Sequence, residues 1–225
     1  MKYLLSNIKI NINEKIYLKD PESSDLGKRI IESSIFLIDD IGFDAFTFKK
    51  LGLKIGSNES SIYRYFESKH MLLLYLTSWY WTWLEYQLVL STNSLENKKV
   101  KLQKAIAVLT QTTTLDSAFI HIDEVILKRI VINEYSKSYL TKEVDSENKE
   151  GYFSVYKRLV NRLKDMILEV NFLYKYPLTL ASTVIEGAMH QHFLKDHFKS
   201  ITECGEGLEP TEFFNDLVFN MLTKK

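Results

Sequence analysis

The feature that most constrains the fold is a succession of short helical patterns between residues 27 and 70. Isoleucines recur there three and four residues apart, which predicts a first helix that buries one stripe and stops at Gly42. Thr47 is the predicted N-cap of a second helix over residues 48–55, and Gly56 can take the left-handed conformation that ends it. Only a tight turn then separates this helix from a third one.

The third helix is predicted to begin after Asn58, its N-cap, and to turn Ile62 and Phe66 toward the core. Its remaining positions are polar and face away from the core: Glu59, Ser60, Ser61, Tyr63 and Arg64. Two helices joined by so tight a turn form a helix-turn-helix, which can place its second helix in the major groove of DNA. The pattern therefore predicts a DNA-binding protein.

The same segment resembles the N-terminal domain of the tetracycline-repressor (TetR/AcrR) family. The resemblance rests on Gly42, Phe46-Thr47, Leu51-Gly52, Gly56 and the run Ile62-Tyr63-Arg64-Tyr65-Phe66-Glu67-Ser68-Lys69, with the apolar run Met71-Leu72-Leu73 behind it. It covers roughly a fifth of the chain, and its turn, cap, aromatic and lysine positions agree. It implies a homodimeric transcriptional regulator, in most cases a ligand-responsive repressor, that binds double-stranded DNA at a palindromic operator.

The resemblance also implies roles for individual residues. Phosphate contacts, which set register and affinity, would come from Thr47, Tyr63, Tyr65 and Lys69. The recognition helix would carry Asn58, Glu59, Ser60, Ser61 and Arg64, where asparagine or arginine can contact a base through two hydrogen bonds. We expect Arg64 to be the main base or phosphate contact, and Tyr63, Tyr65 and Lys69 to be exposed.

Two departures from the family weaken this interpretation. The chain has Ser57-Asn58-Glu59 where the family usually has Val-Ser and a basic or small residue, and a carboxylate repels phosphate although it can accept from cytosine N4. Between Gly27 and Lys69 seven basic residues oppose six acidic ones, which leaves +1 and a weak electrostatic footprint. The alternative is a helix-turn-helix that serves as a protein-binding surface.

Composition indicates a globular, mostly helical protein. The 225 residues are 45% hydrophobic and 26% charged, with 29 basic and 29 acidic side chains, so the chain can bury a sizeable core. Cys204 is the sole cysteine, which excludes an intrachain disulfide and a cysteine metal cluster. No apolar run is long enough for a signal peptide or a membrane span, so we expect a cytoplasmic protein with no membrane partner.

We expect an all-α fold: an N-terminal three-helix helix-turn-helix domain (residues 25–70), then a C-terminal helical bundle for dimerisation and effector binding (residues 71–225). Residues 1–24 alternate Ile8, Ile10 and Ile12 with polar residues, which predicts a short β-hairpin or an extended arm packed on the body or a partner subunit. After the motif, amphipathic helices are predicted at roughly 69–93, 98–114, 118–140, 146–171, 177–199 and 210–223.

Two long apolar stripes suggest the dimer interface. By family analogy their helices pair with their copies in a four-helix interface, for which the candidate residues are Tyr156, Leu163, Ile185, Met189, His192 and Phe193. Burial of the stripes in the core of one subunit is the competing explanation, and periodicity does not separate the two.

An aromatic face of the fourth helix suggests an effector site. Tyr75, Trp79, Trp83 and Tyr86 share this face, and in the family the corresponding helix borders the effector pocket. Indole and phenol groups can orient a small apolar or amphipathic ligand. Plain core packing explains the same pattern.

A second class of function is a helical ligand- or metal-binding protein, or a bundle enzyme, whose helix-turn-helix serves protein interaction. Glu186, His190 and His197 share one helix face, but the two histidines lie too far apart for one tight chelate. The chain has no glycine-rich phosphate loop, no His-Glu-x-x-His and no nucleophile elbow. We therefore expect no catalytic residue, no metal and no cofactor.

Overall fold

The computed structural model describes residues 10–114, 121–205 and 207–223. These residues form eleven α-helices and three short 3-10 turns, with no β-strand beyond one isolated bridge between Gly205 and Leu208. The helices are α1 (Asp25–Ala45), α2 (Phe48–Ile55), α3 (Glu59–Tyr63), α4 (Lys69–Thr92), α5 (Lys98–Thr110), α6 (Glu124–Asn133), α7 (Tyr135–Tyr139), α8 (Val144–Lys149), α9 (Ser154–Val170), α10 (Pro177–His197) and α11 (Pro210–Thr223). The all-α prediction is confirmed.

Helix boundaries follow the predicted pattern except at two breaks within predicted helices and at the end of α5. Of the stretch predicted as one helix over 118–140, residues 118–120 lie outside the described residues. The rest contains α6 and α7, which are separate because the backbone leaves helical geometry at Glu134 (φ −102°, ψ 17°). The stretch predicted over 146–171 is α8 and α9, separated around Gly151, whose φ of 82° a glycine adopts readily. Helix α5 ends earlier than predicted, at Thr110, because Gln111 is extended.

The chain forms two compact units. The first contains Met1–Thr82 and Thr113–Ser154, and therefore the helix-turn-helix; the second contains Trp83–Thr112 and Val155–Lys225. Helix α4 contributes residues to both. None of the described helices is both long and apolar enough to cross a membrane.

Residues 10–24 are part of the first unit and pack against its helices. Their isoleucines Ile10, Ile12 and Ile16 are buried, and the backbone N–H of Leu18 donates to the carbonyl of Tyr65 at 2.8 Å. The segment contains two 3-10 turns, Glu14–Ile16 and Pro21–Ser23, and no strand. The packing expectation is confirmed, and the hairpin alternative is wrong for residues 10–24; Ile8 lies outside the described residues.

The first unit is built around α1. Its apolar stripe is fully buried at Ile30, Ile31 and Ile35, as predicted. Asp39 of α1 accepts two hydrogen bonds from Arg129 of α6, at 3.0 and 2.7 Å. Further toward the N-terminus Glu22 pairs with His121 at 2.8 Å. Polar side-chain contacts therefore join α1 and the turn before it to α6 and the residues before it.

The second unit packs α10 against α5 and α11. His192 in α10 bonds the carbonyl of Thr110 in α5 at 2.8 Å. Arg158 and Arg162 of α9 pair with the buried Glu85 at 2.8 and 2.7 Å. Burial opposes ionisation of Glu85, but the two arginines outweigh it and hold the pKa of its carboxyl below the usual value.

The structure corrects the predicted dimer residues. Leu163, Ile185, Met189 and His192 are all at most 8% exposed within the single chain, so they serve the competing explanation, a subunit core. The other two candidates, Tyr156 and Phe193, are half-buried.

Candidate nucleic-acid interface

The helix-turn-helix is fixed by local capping bonds at the predicted residues. The Thr47 hydroxyl accepts from the Lys50 N–H at 3.2 Å and begins α2. Gly56, with φ of 64°, ends α2 in the left-handed conformation. Asn58 begins α3, because its Oδ1 accepts from the Ser61 N–H at 2.8 Å and from the Ser61 hydroxyl at 2.7 Å. These bonds satisfy backbone donors that a helix start leaves unpaired.

The turn between α2 and α3 is unusually close at Gly52. The Ser57 N–H donates to the carbonyl of Gly52 at 2.9 Å. A methyl group added at Gly52 would lie 2.7 Å from the Ser57 carbonyl oxygen. The relative position of the two helices therefore depends on a glycine here.

Polar residues of α3 form an exposed surface, which we call the α3 surface. It contains Asn58, Glu59, Ser60, Tyr63 and Arg64, all exposed, while Ser61, which bonds Asn58, is half-buried. Beneath it Ile62 and Phe66 are fully buried, as predicted. The Tyr63 ring, 46% exposed, rests edge-on against Phe48 at 4.9 Å, which links the surface to α2.

Tyr65 does not belong to this surface, and the prediction that it is exposed is wrong. The side chain is 3% exposed. Its hydroxyl bonds Ser24 Oγ at 2.8 Å and accepts from Lys19 Nζ at 3.3 Å. The bond with Ser24 lowers the pKa of Tyr65. The phenol thus anchors the N-terminal segment to the helix-turn-helix.

Lys69 also points inward, which corrects the prediction of an exposed ammonium. It is half-buried, and its Nζ donates to the carbonyls of Phe43, Asp44 and Phe46 at 2.9, 3.2 and 3.2 Å. These carbonyls lie just past Gly42, whose φ of 75° breaks α1 as predicted, although one further turn continues to Ala45. Sequence reasoning placed Lys69 by its family position and missed these acceptors.

A charged cluster around Glu134 was not predicted. Glu134 is buried; its Oε1 accepts from the Phe43 N–H at 3.1 Å, and its Oε2 accepts from Lys137 Nζ at 2.7 Å. Lys137 also bonds Asp44 at 2.9 Å, and these bonds raise the pKa of Lys137. The cluster holds the residues after Gly42 to the α6–α7 junction. A separation of 91 residues between Phe43 and Glu134 leaves no local signal for it.

The four aromatic candidates for an effector wall are mostly buried. Tyr75 and Trp79 in the first unit are each 1% exposed, Trp83 in the second is 5% exposed, and Tyr86 is half-buried. Tyr75 packs edge-on against Phe66 at 5.4 Å and Tyr17 at 6.0 Å, and burial raises its pKa. This packing accounts for Tyr75 as a core residue; the ligand role of the face stays a prediction.

The histidines weighed as metal ligands are engaged in ring contacts. His190 and His197 lie against Phe193 with centroids 6.3 and 4.6 Å away, and Glu186 accepts a hydrogen bond from the Tyr156 hydroxyl. Within the described ranges, no three histidine, cysteine or carboxylate side chains come together as a metal site.

Comparison with known proteins agrees with this geometry. Residues 30–76 match the family described as "Bacterial regulatory proteins, tetR family". No curated protein matches the chain. The fold resembles AibR in complex with isovaleryl coenzyme A and operator DNA (17% identity, 87% of this chain and 97% of that chain, TM-score 0.57).

Two further structures share the fold. PfmR, a TetR family transcriptional regulator from Thermus thermophilus, has 14% identity over 88% of this chain and 100% of that chain, with a TM-score of 0.54. A bacterial regulatory protein in the tetR family from Rhodococcus RHA1 has 13% identity over 88% and 97%, with a TM-score of 0.60. Residues 30–76, which contain the helix-turn-helix, therefore form a domain that matches the tetR family of bacterial regulatory proteins.

Proposed function

We propose that the protein represses transcription as a homodimer on a palindromic operator and releases DNA when a small ligand binds. The observation that carries the proposal is the exposed α3 surface, capped at Asn58 and held against α2 by the close turn at Gly52. A short rigid helix that presents polar side chains is the element that reads base edges in the major groove.

The α3 surface has the donors and acceptors for such reading. Arg64 is exposed and its guanidinium can donate two hydrogen bonds to guanine O6 and N7. Asn58 uses its carbonyl oxygen for the cap, which leaves its NH₂ group as a donor. Phosphate contacts in our proposal come from Thr47 and Tyr63, which are exposed, and we no longer assign them to Tyr65.

Dimerisation follows from the shortness of α3. One five-residue helix contacts few base pairs, whereas a two-fold dimer reads two half-sites about 34 Å apart. We assign DNA binding to residues 25–70 and dimerisation and effector binding to residues 71–225, in a cytoplasmic protein. The half-buried Tyr156 and Phe193 remain the candidates for the interface.

A ligand site is supported by the likeness to AibR, whose structure is a complex with both isovaleryl coenzyme A and operator DNA. Release of DNA by the ligand is our own proposal. For this chain we propose a small apolar or amphipathic effector beside the aromatic face of α4, defined by Tyr75, Trp79, Trp83 and Tyr86. Such a ligand lowers operator affinity only if it binds the DNA-free conformation more tightly. If operator affinity did not respond to any candidate ligand, the proposed effector role would be wrong, while the proposed DNA binding would stand.

The test is selection of bound duplexes from a random DNA pool by the purified protein, followed by titration of the enriched duplex at two salt concentrations. We expect a two-fold symmetric site and a salt-dependent affinity, because phosphate contacts release counterions. A folded protein that enriches no sequence would favour the second candidate, a protein-binding helix-turn-helix, for which Glu59 on the α3 surface is the supporting observation.

Arg64→Ala is expected to weaken operator binding by about 1–3 kcal/mol and to relax sequence preference at one position of each half-site. The reason is loss of the exposed guanidinium on the α3 surface. Arg64→Lys is the matched control, because lysine keeps the charge but not the two-bond geometry. It should retain most non-specific affinity and lose the base preference. An unchanged preference in both variants would assign base reading to other residues.

A further inference from the structure

Two lysines cap the corner between α1 and α2, which we define as residues 43–46. Lys69 Nζ donates to the carbonyls of Phe43 at 2.9 Å, Asp44 at 3.2 Å and Phe46 at 3.2 Å. Lys50 Nζ donates to the carbonyl of Ala45, which lies between Asp44 and Phe46, at 2.8 Å. Every carbonyl oxygen of the corner therefore accepts a hydrogen bond from an ammonium group.

The reason for this arrangement is the break in α1. A helix end leaves carbonyls without intrahelical partners and carries partial negative charge, which a nearby cation stabilises. An ammonium group has three N–H donors, and Lys69 directs all three at the corner. The Phe43 ring, whose centroid lies 4.8 Å from the same Nζ, adds a cation–π contact.

Lys69 is consequently committed to the protein. If its ammonium moved to a DNA phosphate, three corner carbonyls would lose their donor. The corner leads directly into Thr47, the N-cap of α2, and α2 is joined to α3 by the close turn at Gly52. A displacement of the corner would therefore move Thr47 and α2, and with them the α3 surface.

We propose that Lys69 is a positioning residue for DNA reading: it fixes the α1–α2 corner, and through the corner Thr47 and α2, and it makes no phosphate contact. The inference rests on the proposed DNA-binding function. Under this inference the phosphate contacts come only from exposed side chains such as Thr47 and Tyr63.

The salt dependence of operator binding separates the two roles. A lysine on a phosphate contributes about 0.9 to the slope of log affinity against log salt, or about 1.8 for a dimer. Lys69→Gln is expected to weaken operator affinity about tenfold, per folded molecule, with the wild-type slope. Lys49→Gln, an exposed lysine of α2, removes the same charge and leaves the corner intact, and is the matched control.

Amide hydrogen exchange in the free protein tests the corner without DNA. Lys69→Gln should speed exchange of the Phe46 N–H, which donates to Gly42, and of the Leu51 N–H, which donates to Thr47; Lys49→Gln should not. Lys69→Arg retains a cation and several donors, and should preserve exchange protection even if Lys69→Gln folds poorly.

The inference would be overturned if Lys69→Gln reduced the slope of log affinity against log salt by about 0.9 or more per subunit. That result would place the ammonium of Lys69 on a phosphate. Unchanged affinity together with unchanged exchange would overturn it equally. If the wild-type protein bound no duplex, the proposed function would fail, while the exchange data would still decide whether Lys69 holds the corner.

Discussion

Gly52→Ala is expected to reduce operator affinity by at least about a hundredfold and to destabilise the protein by about 1–3 kcal/mol, the usual range for overpacking. The new methyl group would lie 2.7 Å from the Ser57 carbonyl oxygen and 3.4 Å from the Glu59 nitrogen. Both are backbone atoms, so relief requires α3 to move away from α2. Since each two-bond base contact is worth about 1–3 kcal/mol and both half-sites are affected, displacement of α3 costs most of the specific affinity.

Gly56→Ala is the control for Gly52→Ala. Gly56 has a left-handed φ of 64°, but no atom lies within 4 Å of an added methyl group. This variant should lose about 1 kcal/mol of stability from backbone conformation and keep α3 in place. Thermal unfolding and operator titration, corrected for the folded fraction, measure the two effects separately. Equal operator affinity in the two variants would show that the spacing of α2 and α3 does not govern DNA reading.

The helix-turn-helix was predictable because its determinants are local. Thr47 caps α2 through a residue three positions away, Asn58 caps α3 through another three positions away, and Gly56 supplies its own left-handed turn. Such bonds join residues close together in the chain, so the local sequence pattern specifies them.

The burial and hydrogen bonding of Tyr65 and Lys69 were not predictable in the same way. Helical phase placed them outside the core of their own segment, but their partners lie far away in sequence: Ser24 is 41 residues before Tyr65, and Phe43 is 26 residues before Lys69. Burial by such partners depends on tertiary packing. Family position alone therefore overstates how many polar side chains are available to DNA.

For the apolar stripes of α9 and α10, periodicity predicted burial but not the surface that buries them. Periodicity identified Leu163 and Ile185 as residues that must be buried, and both are fully buried. It did not identify what buries them, because a subunit core and a dimer interface demand the same spacing. The structure supplies the core within one chain, so any dimer surface must be sought among less buried side chains.

Gly27→Ala is expected to give the largest loss of stability, about 3 kcal/mol or more. An added methyl group would lie 2.1 Å from the Pro21 carbonyl oxygen and 2.7 Å from the Pro21 Cα, so the Pro21–Ser23 turn must leave the face of α1. That movement also disturbs Ser24, which caps α1 at the Gly27 N–H and bonds the buried Tyr65 hydroxyl. Overpacking and loss of an N-cap together account for the magnitude.

Thermal unfolding is the measurement for Gly27→Ala, with an expected fall in Tm of roughly 6–12 °C for a chain of this size. Gly205→Ala is the control, because nothing lies within 4 Å of its added methyl group, and it should change Tm little. Residues 10–24 reach the helix-turn-helix through Leu18, Lys19 and Ser24, all bonded to Tyr65. Operator affinity per folded molecule should therefore fall with Tm in Gly27→Ala. A wild-type Tm would mean that the turn can shift on α1 at little cost, and a lower Tm with unchanged affinity would mean that this segment stabilises the unit without positioning the α3 surface.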